Sequence, residues 1–197
     1  MALLTAGFLA GCGNPADGVQ EAEVTAPASG EVAAVEGAKV YAVSSESTIG
    51  FTGSKITGSH EGGFKSFTGS ISVADGNIVA PSKIEIDMES TWSDNGKLTG
   101  HLKAPDFFDV ASYPTSSFVL TSVDASGDKH TVTGDLTLHG ETKSISFDAD
   151  VAITDTMLTL SAEFFIKRFD FGIVYKGKAD DLIRDEVVIK LDIKAEA

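Results

Sequence analysis

The side chains of this 197-residue chain that could carry chemistry are few and scattered. Asp106 and Asp109 form one acidic pair, the residue type used for general acid–base work and for glycoside cleavage. A spacing of three on a loop is equally that of a reciprocal capping pair, which explains them without catalysis. Four histidines, His60, His101, His130 and His139, could ligate a metal. No two stand at helical i, i+4 spacing and none lies in an HExxH frame; His60 opens the glycine-rich turn His60-Glu61-Gly62-Gly63. A hydrogen-bonded structural histidine accounts for His139, at a strand end before Gly140, more simply than a ligand does. There is no Gly-x-Ser-x-Gly elbow, no glycine-rich phosphate loop before a helix, and only one cysteine, Cys12, which excludes an internal disulfide. The expectation is a non-enzyme with no catalytic residue, no metal and no cofactor.

Of the two arginines, Arg168 and Arg184, Arg168 can hold a phosphate-bearing group by a bidentate contact or pair with a nearby acid such as Asp170. Ion pairing is the commoner fate of a lone arginine.

The rest of the chain is organised around the run His101-Leu102-Lys103-Ala104-Pro105-Asp106-Phe107-Phe108-Asp109 and its continuation through Tyr113-Pro114 to Phe118. Here alternation stops and two phenylalanines stand side by side between acids and prolines. Pro105 fixes φ, Asp106 caps the turn with Asp109 as its reciprocal acid, and one short helical turn carries Phe107 and Phe108. Tyr113-Pro114 then forces the backbone extended. Two apolar rings on a loop between strands must be buried, and the end of a barrel, as plug or gate, is the place for them.

Period-two alternation governs the flanks from Lys39 onward. Ile84, Ile86 and Met88 share one face against Lys83, Glu85, Asp87 and Glu89; Val187, Ile189, Leu191 and Ile193 share another. Val132, Leu136 and Leu138, then Ile145, Phe147, Ala149, Val151 and Ile153, then Leu158, Leu160, Ala162, Phe164 and Ile166 behave likewise. Ile49–Phe51, Phe64 to Val73 and Phe118–Leu120 bring the count to about eight strands. Asp75-Gly76-Asn77, Ser126-Gly127-Asp128, His139-Gly140 and Lys176-Gly177-Lys178 mark turns between them. Glycines at 58, 62, 63, 69 and 134 fit bulges or close backbone approaches. Such a chain is all-β, and alternation alone leaves a sandwich and an up-and-down barrel equally open. It also leaves open whether the inward side chains fill a solid core, the usual fate of apolar stripes, or line a hollow.

A formal charge of −14 argues against nucleic acid, whose phosphates need clustered Lys and Arg. Twelve phenylalanines against one tryptophan and three tyrosines suit a deep apolar interior, since Phe has no polar atom to satisfy. No apolar run reaches the roughly 18 residues of a membrane span.

At the N-terminus, Ala2 to Ala10 is a short apolar run ending in Leu9-Ala10-Gly11-Cys12, similar to a bacterial lipobox. That resemblance implies a signal segment over 1–11 and acylation of Cys12, placing the protein lipid-anchored (or secreted) at the periplasmic face of a bacterial envelope. The positively charged n-region is missing, which reads as a start codon assigned too late or a clipped sequence. Residues 12–38 carry Asp17, Glu21, Glu23, Glu31 and Glu36 against no Lys or Arg and have no strand-forming run, so they read as a flexible acidic tether. Removing those five acids from −14 leaves the 39–197 domain near −9.

The run from His101 to Phe118 resembles the signature of the YceI-like family, periplasmic lipocalin-like proteins that bind polyisoprenoid lipids. Gly134-Asp135-Leu136-Thr137-Leu138-His139-Gly140-Glu141-Thr142-Lys143 and Arg168-Phe169-Asp170-Phe171-Gly172 match in the family's order and spacing, over about Val40 to Ala195. Leu98-Thr99-Gly100 replaces an Arg-Asp pair common in the family, and Ala104 stands where Ser is usual. The resemblance implies a closed antiparallel eight-stranded lipocalin-like barrel with a short helical plug, of a size that encloses one ligand. It implies a lipid-holding channel lined by Phe51, Phe64, Phe67, Ile84, Ile86, Met88, Leu102, Phe107, Phe108, Phe118, Leu120, Leu136, Leu138, Phe147, Leu160 and Phe164, with Arg168 at a head group. The partner would be a polyisoprenoid or an isoprenoid quinone, carried by a monomer that closure leaves without a free edge. A forty-carbon tail at about 0.8 kcal/mol per CH₂ would gain roughly 30 kcal/mol gross. That exceeds the practical ceiling near 20 kcal/mol, so ordering the tail must consume much of it and tube length must set selectivity. Two alternatives remain: a scaffold whose loops near His60 and Thr91-Trp92 bind a protein partner, and an enzyme acting on a lipid head through Asp106.

Overall fold

The structure is a computed structural model that describes residues 13–28 and 34–197. Cys12, the expected signal segment and residues 29–33 of the expected tether lie outside the described residues.

The alternating segments fold as strands: β1 (Gln20–Glu21), β2 (Glu23–Thr25), β3 (Lys39–Val43), β4 (Thr48–Lys55), β5 (Gly58–Phe64), β6 (Phe67–Ala74), β7 (Asn77–Asp87), β8 (Thr91–Ser93), β9 (Thr115–Asp124), β10 (His130–Leu138), β11 (Glu141–Ile153), β12 (Met157–Lys167), β13 (Gly177–Lys178) and β14 (Asp181–Glu196). One α-helix, α1 (Gly96–Lys103), precedes the central run, and 3₁₀ turns cover Met88–Ser90 and Arg168–Phe171. Among the described residues no helix is long and apolar enough to cross a membrane.

The sheet closes on itself. The ring runs β14–β12–β11–β10–β9–β7–β6–β3 and returns to β14 through Ala195 opposite Val43 and Glu196 opposite Ala42. All eight contacts are antiparallel, which is the barrel expected from the resemblance. After the turn at Ser44–Ser47 the chain re-enters as β4 along the earlier half of β14, and β5 and β8 extend it as a flange. One end of the barrel is therefore packed shut: Ala149, Leu158 and Ala195 have no exposure, and Tyr41 donates its hydroxyl to Thr154 O at 2.7 Å. The other end carries α1, the loop to Pro114 and the 168–176 connection.

Two local expectations are corrected. Phe64 to Val73 is not one strand, because Lys65-Ser66 turns between β5 and β6. The helical element lies before Phe107 rather than on it: Asn95 Oδ1 accepts from the N–H groups of Lys97 and Leu98 and starts α1. Asp106 meets His101 Nε2 at 3.2 Å, and Phe107 and Phe108 follow in a turn tied to Ala104 O and Leu102 O. Asp109, at φ 43°, takes the left-handed conformation that ends the turn.

The 13–28 segment also differs from a free tether. β11 and β12 pair directly only over Asp150–Ile153 and Leu158–Ser161, then splay apart toward the open end. The N-terminal segment fills that seam. β1 pairs in parallel with β12 at Phe164 and Phe165, and β2 pairs antiparallel with Ser144–Ser146 of β11. Ala22, 1% exposed, joins the main core cluster with Val24 packed beside it. Lys167 Nζ reaches Glu21 Oε1 at 2.6 Å, and Ala28 N donates to Asp135 Oδ1 at 3.1 Å. The residues on either side of Ala22, two exposed acids among them, form strands here because the splayed edges offer backbone partners that the segment alone lacks.

Candidate functional site: an apolar cavity with a polar mouth

Inside the ring lies a cavity of about 230 Å³. For comparison, an apolar cavity near 150 Å³ holds a benzene ring. Its walls come from alternate residues of the ring strands: Ile78, Ile84 and Ile86 of β7, Phe118 and Leu120 of β9, Val132, Leu136 and Leu138 of β10, Ile145 and Phe147 of β11, Leu160, Phe164 and Ile166 of β12, and Val187 to Ile193 of β14. Many of these inward side chains, such as Ile84, Phe118 and Leu136, stay only half-buried because they face the hollow rather than a packed neighbour. The interior is hollow, so the solid-core alternative does not hold over this length.

Two glycines make the wall. Gly134 sits where the β9–β10 register shifts, and a Cβ there would fall 2.6 Å from Val119 O and into the Phe118 ring. Gly62 stands in the same relation to Trp92 O, at 2.6 Å, and to the Phe51 ring. Each lets an aromatic ring lie flat against the sheet and leave the centre free. Phe147 stacks on Phe164 with centroids 4.1 Å apart, and Phe118 leans on Phe147 at 5.9 Å.

The open end is aromatic. Phe51, Phe64 and Phe108 form one trio with centroid distances of 5.8 to 6.1 Å. His101, Phe107 and Tyr175 form a second at 4.9 to 5.3 Å. Phe107 and Leu102 are buried against Ile173, so the side-by-side phenylalanines do sit at a barrel end and both touch the cavity. Outside them a vestibule of about 320 Å³ is lined by Lys55, His60, His101, Tyr175, Lys178 and Asp181 among others, and shares Phe51, Ser54, Leu102 and Phe107 with the inner cavity.

Of the expected lining, Met88 and Phe67 fall outside the cavity. β7 stops at Asp87, whose side chain caps the 3₁₀ turn, so Met88 leaves the alternation and is buried elsewhere at 1% exposure. Phe67 packs against the core cluster without reaching the hollow. The remaining expected apolar residues are all on its wall. Arg168 lines it too, and it does not pair with Asp170. Its Nε, Nη1 and Nη2 donate to the carbonyls of Arg184 (2.9 Å), Ile173 (2.5 Å) and Ile183 (3.3 Å). Burial lowers its pKa from the ordinary arginine value, partly offset by Asp185. Arg184 and Ser54, which alternation did not single out, also face the cavity.

Three of the histidines, His60, His101 and His139, are engaged locally. His60 Nδ1 meets Asp94 Oδ1 at 2.8 Å, and the Glu61 N–H with that histidine holds the Asp94 carboxyl below its usual range. His139 Nδ1 lies 3.1 Å from Phe171 O, tying the β10–β11 turn to the 3₁₀ turn after β12. His139 and Gly140 both have positive φ, as a two-residue hairpin turn requires. Among the described residues no three His, Cys, Asp or Glu side chains come together as a metal site.

A model of the YceI-like domain matches residues 41–195. The chain belongs to the YceI-like domain family. A UPF0312 protein of Pseudomonas putida strain F1 is 45% identical over 91 residues, and Protein YceI of Escherichia coli O157:H7 is 36% identical over 89. Each alignment covers 45% of this chain and 47% of the relative, so the chain spans about half the length of the curated relatives it matches. Among solved structures, BcnA of Burkholderia cenocepacia superposes with TM-score 0.68 at 25% identity over 76% of this chain and 96% of that one. A polyisoprenoid binding domain from Saccharophagus degradans gives 0.66 at 21% identity over 80% and 98%, a likeness of fold.

Proposed function

We propose that this YceI-like barrel binds and carries a long polyisoprenoid, of quinone or polyprenyl type, without turning it over. The observation that carries the reading is the hollow: a cavity with almost wholly apolar walls, extending from the aromatic mouth to Ile78 and Ile193 near the shut end. Such a space is filled favourably by hydrocarbon and poorly by water. The polyisoprenoid binding domain of Saccharophagus degradans shares the fold, which supports the ligand class. Cys12, acylated, would anchor the barrel at the periplasmic face of the envelope, and a monomer suffices because ring closure leaves β3 and β14 paired. Tail length would be set by the shut end.

Organic extraction and mass spectrometry of the purified protein test the reading directly, with a polyprenol probe titrated in parallel. Leu136→Phe with Ile84→Phe, both on the cavity wall, should abolish probe binding while leaving the fold intact. Extracts without isoprenoid, together with no probe binding by the unmodified protein, would refute it.

A further inference from the structure

The carrier reading leaves open how a tail enters or leaves the barrel without crossing water. The last rung between β14 and β12 is Glu186 opposite Lys167, yet β14 begins at Asp181. Residues 181–185 therefore run about 15 Å past that rung. There they pair with β4 on one side, Ile183 opposite Lys55, and with β13 on the other, Leu182 opposite Gly177. The register slip between Ile183 and Val187 is a bulge, and it marks where this three-stranded tongue leaves the ring.

The inner face of the tongue gives Phe51, Ser54, Tyr175 and Ile183 to the vestibule. Its outer tip is apolar. Ile56, whose N–H donates to Leu182 O at 3.2 Å, is 52% exposed, Leu182 is 44% exposed, and Val174, on the connection into β13, is 59% exposed. Beside them Lys176 and Lys178 are exposed, and among the described residues neither forms an ion pair. Asp181 is taken up by Lys55 and Thr57, which leaves Asp180 as the acid of the 176–182 hairpin that opposes them.

Apolar exposure alone does not single out the tip, since Val40 and Met157 are exposed at the shut end. There, however, Lys39, Lys129 and Lys194 are engaged by Asp155 O, Asp150 and Glu46, and Ala149, Leu158 and Ala195 close the hollow beneath. On a chain of formal charge −14, an anionic surface repels the body and admits the face whose lysines are unopposed. Each methylene of a tail that crosses water costs free energy, so a mouth that exchanges lipid gains by resting on a bilayer.

We propose that Ile56, Leu182 and Val174, flanked by Lys176 and Lys178, dock on a bilayer surface containing anionic lipid and seat the barrel's mouth against it. The tail then passes between cavity and membrane along the inner face of the tongue. The passenger rests on the carrier reading; the docking surface rests on the tongue.

The test uses the full chain carrying Cys12→Ser, so that no acyl group contributes, and vesicles of phosphatidylcholine alone or with about a quarter phosphatidylglycerol. The protein should float with the anionic vesicles, and Ile56→Asp with Leu182→Asp should lower that binding about 10-fold or more. Ile56→Asp alone, in a turn, carries the test should the pair fold poorly. Lys176→Glu should lower binding to anionic vesicles several-fold and leave the weaker binding to phosphatidylcholine unchanged. Val40→Asp with Met157→Asp, at the shut end, should stay within about twofold of the unmodified protein. Transfer of a polyprenol probe to anionic vesicles should speed up in proportion to vesicle concentration, as contact requires. The tip variant should lose that dependence while holding the probe in solution as before. Absence of vesicle binding, or equal loss in tip and shut-end variants, overturns the docking surface and, with the probe still bound in solution, leaves the carrier standing. Tip-dependent flotation of a protein that binds no polyprenol keeps the surface and overturns the carrier. A dimer that Ile56→Asp dissolves, without vesicle binding, assigns the tip to a second copy and overturns the membrane.

Discussion

Arg168 Nε donates to the backbone carbonyl of Arg184 at 2.9 Å, so the 3₁₀ turn after β12 is pinned to the bulge of β14. With the bonds to Ile173 O and Ile183 O, one planar fork holds three carbonyls at the barrel's mouth. A lysine is a point donor that cannot span them. Arg168→Lys should therefore leave two buried acceptors unpaired and cost about 2–4 kcal/mol. Thermal melting checks it, with a Tm lower by roughly 5–15 °C for a domain of this size. A shift under a degree would mean the fork contributes little.

Gly134 sets the width of the hollow. Gly134→Ala places a methyl against Val119 O and drives Phe118 off the wall, at an overpacking cost of about 1–3 kcal/mol. Because the displaced ring must move into the cavity, probe capacity should fall along with Tm. Gly100→Ala is the control: nothing lies within 4 Å of its Cβ, and it sits inside α1. It should stabilise by about 0.5–1 kcal/mol and leave binding unchanged. Lost binding in both variants would disconnect the effect from the wall.

Acid should loosen the mouth first. Asp181 accepts from Lys55 Nζ and from the Thr57 N–H and hydroxyl, clipping the β4–β5 turn to the start of β14. These bonds, Lys55 foremost, hold its carboxyl below the ordinary 3.8. A depressed carboxylate favours the fold above its unfolded value and loses that advantage as pH falls through 3.8 and below. Melting from pH 7 down to 3 should thus show Asp181→Asn less stable at neutral pH and converging on the unmodified protein in acid. A difference that persists unchanged at pH 3 would remove the clip from the explanation.

Much of this was legible in the sequence. Strict alternation in β7, β10, β12 and β14 puts one set of side chains inside whatever the sheet becomes, and Gly134 and Gly62 announced close approaches. The misses share a cause. Met88 continues the pattern of Ile84 and Ile86, yet the strand ends one residue earlier because Asp87 turns to cap a 3₁₀ helix. Arg184 and Ser54 face inward only because the β4–β14 register slips, and a slip belongs to two strands distant in sequence. The strands at 20–25 depend on edges that β11 and β12 expose after they part, which no property of Gln20 to Thr25 foretells.

That seam yields the last prediction. Ala22, 1% exposed, is the inward side chain of a segment held by few backbone bonds, one of them its own N–H to Phe165 O at 2.9 Å. The same segment lies as a strap along the edges of β11 and β12, whose Ile145, Phe147 and Phe164 line the cavity. Removing residues 1–28 should leave the ring pairing β12 with β14 along its full length, and β11 with β10, intact. It should expose the Ser144–Ser146 edge of β11 and the Phe164–Phe165 edge of β12. Hydrogen exchange should then rise at those residues and stay unchanged in β9 and β10, while a bound polyprenol probe should leave several-fold faster through the opened side. Ala22→Asp, which buries an unpaired carboxylate, should mimic the deletion. Unchanged exchange at Ser144–Ser146 together with an unchanged release rate would show that the barrel seals without its strap, and the probe would then leave by the mouth.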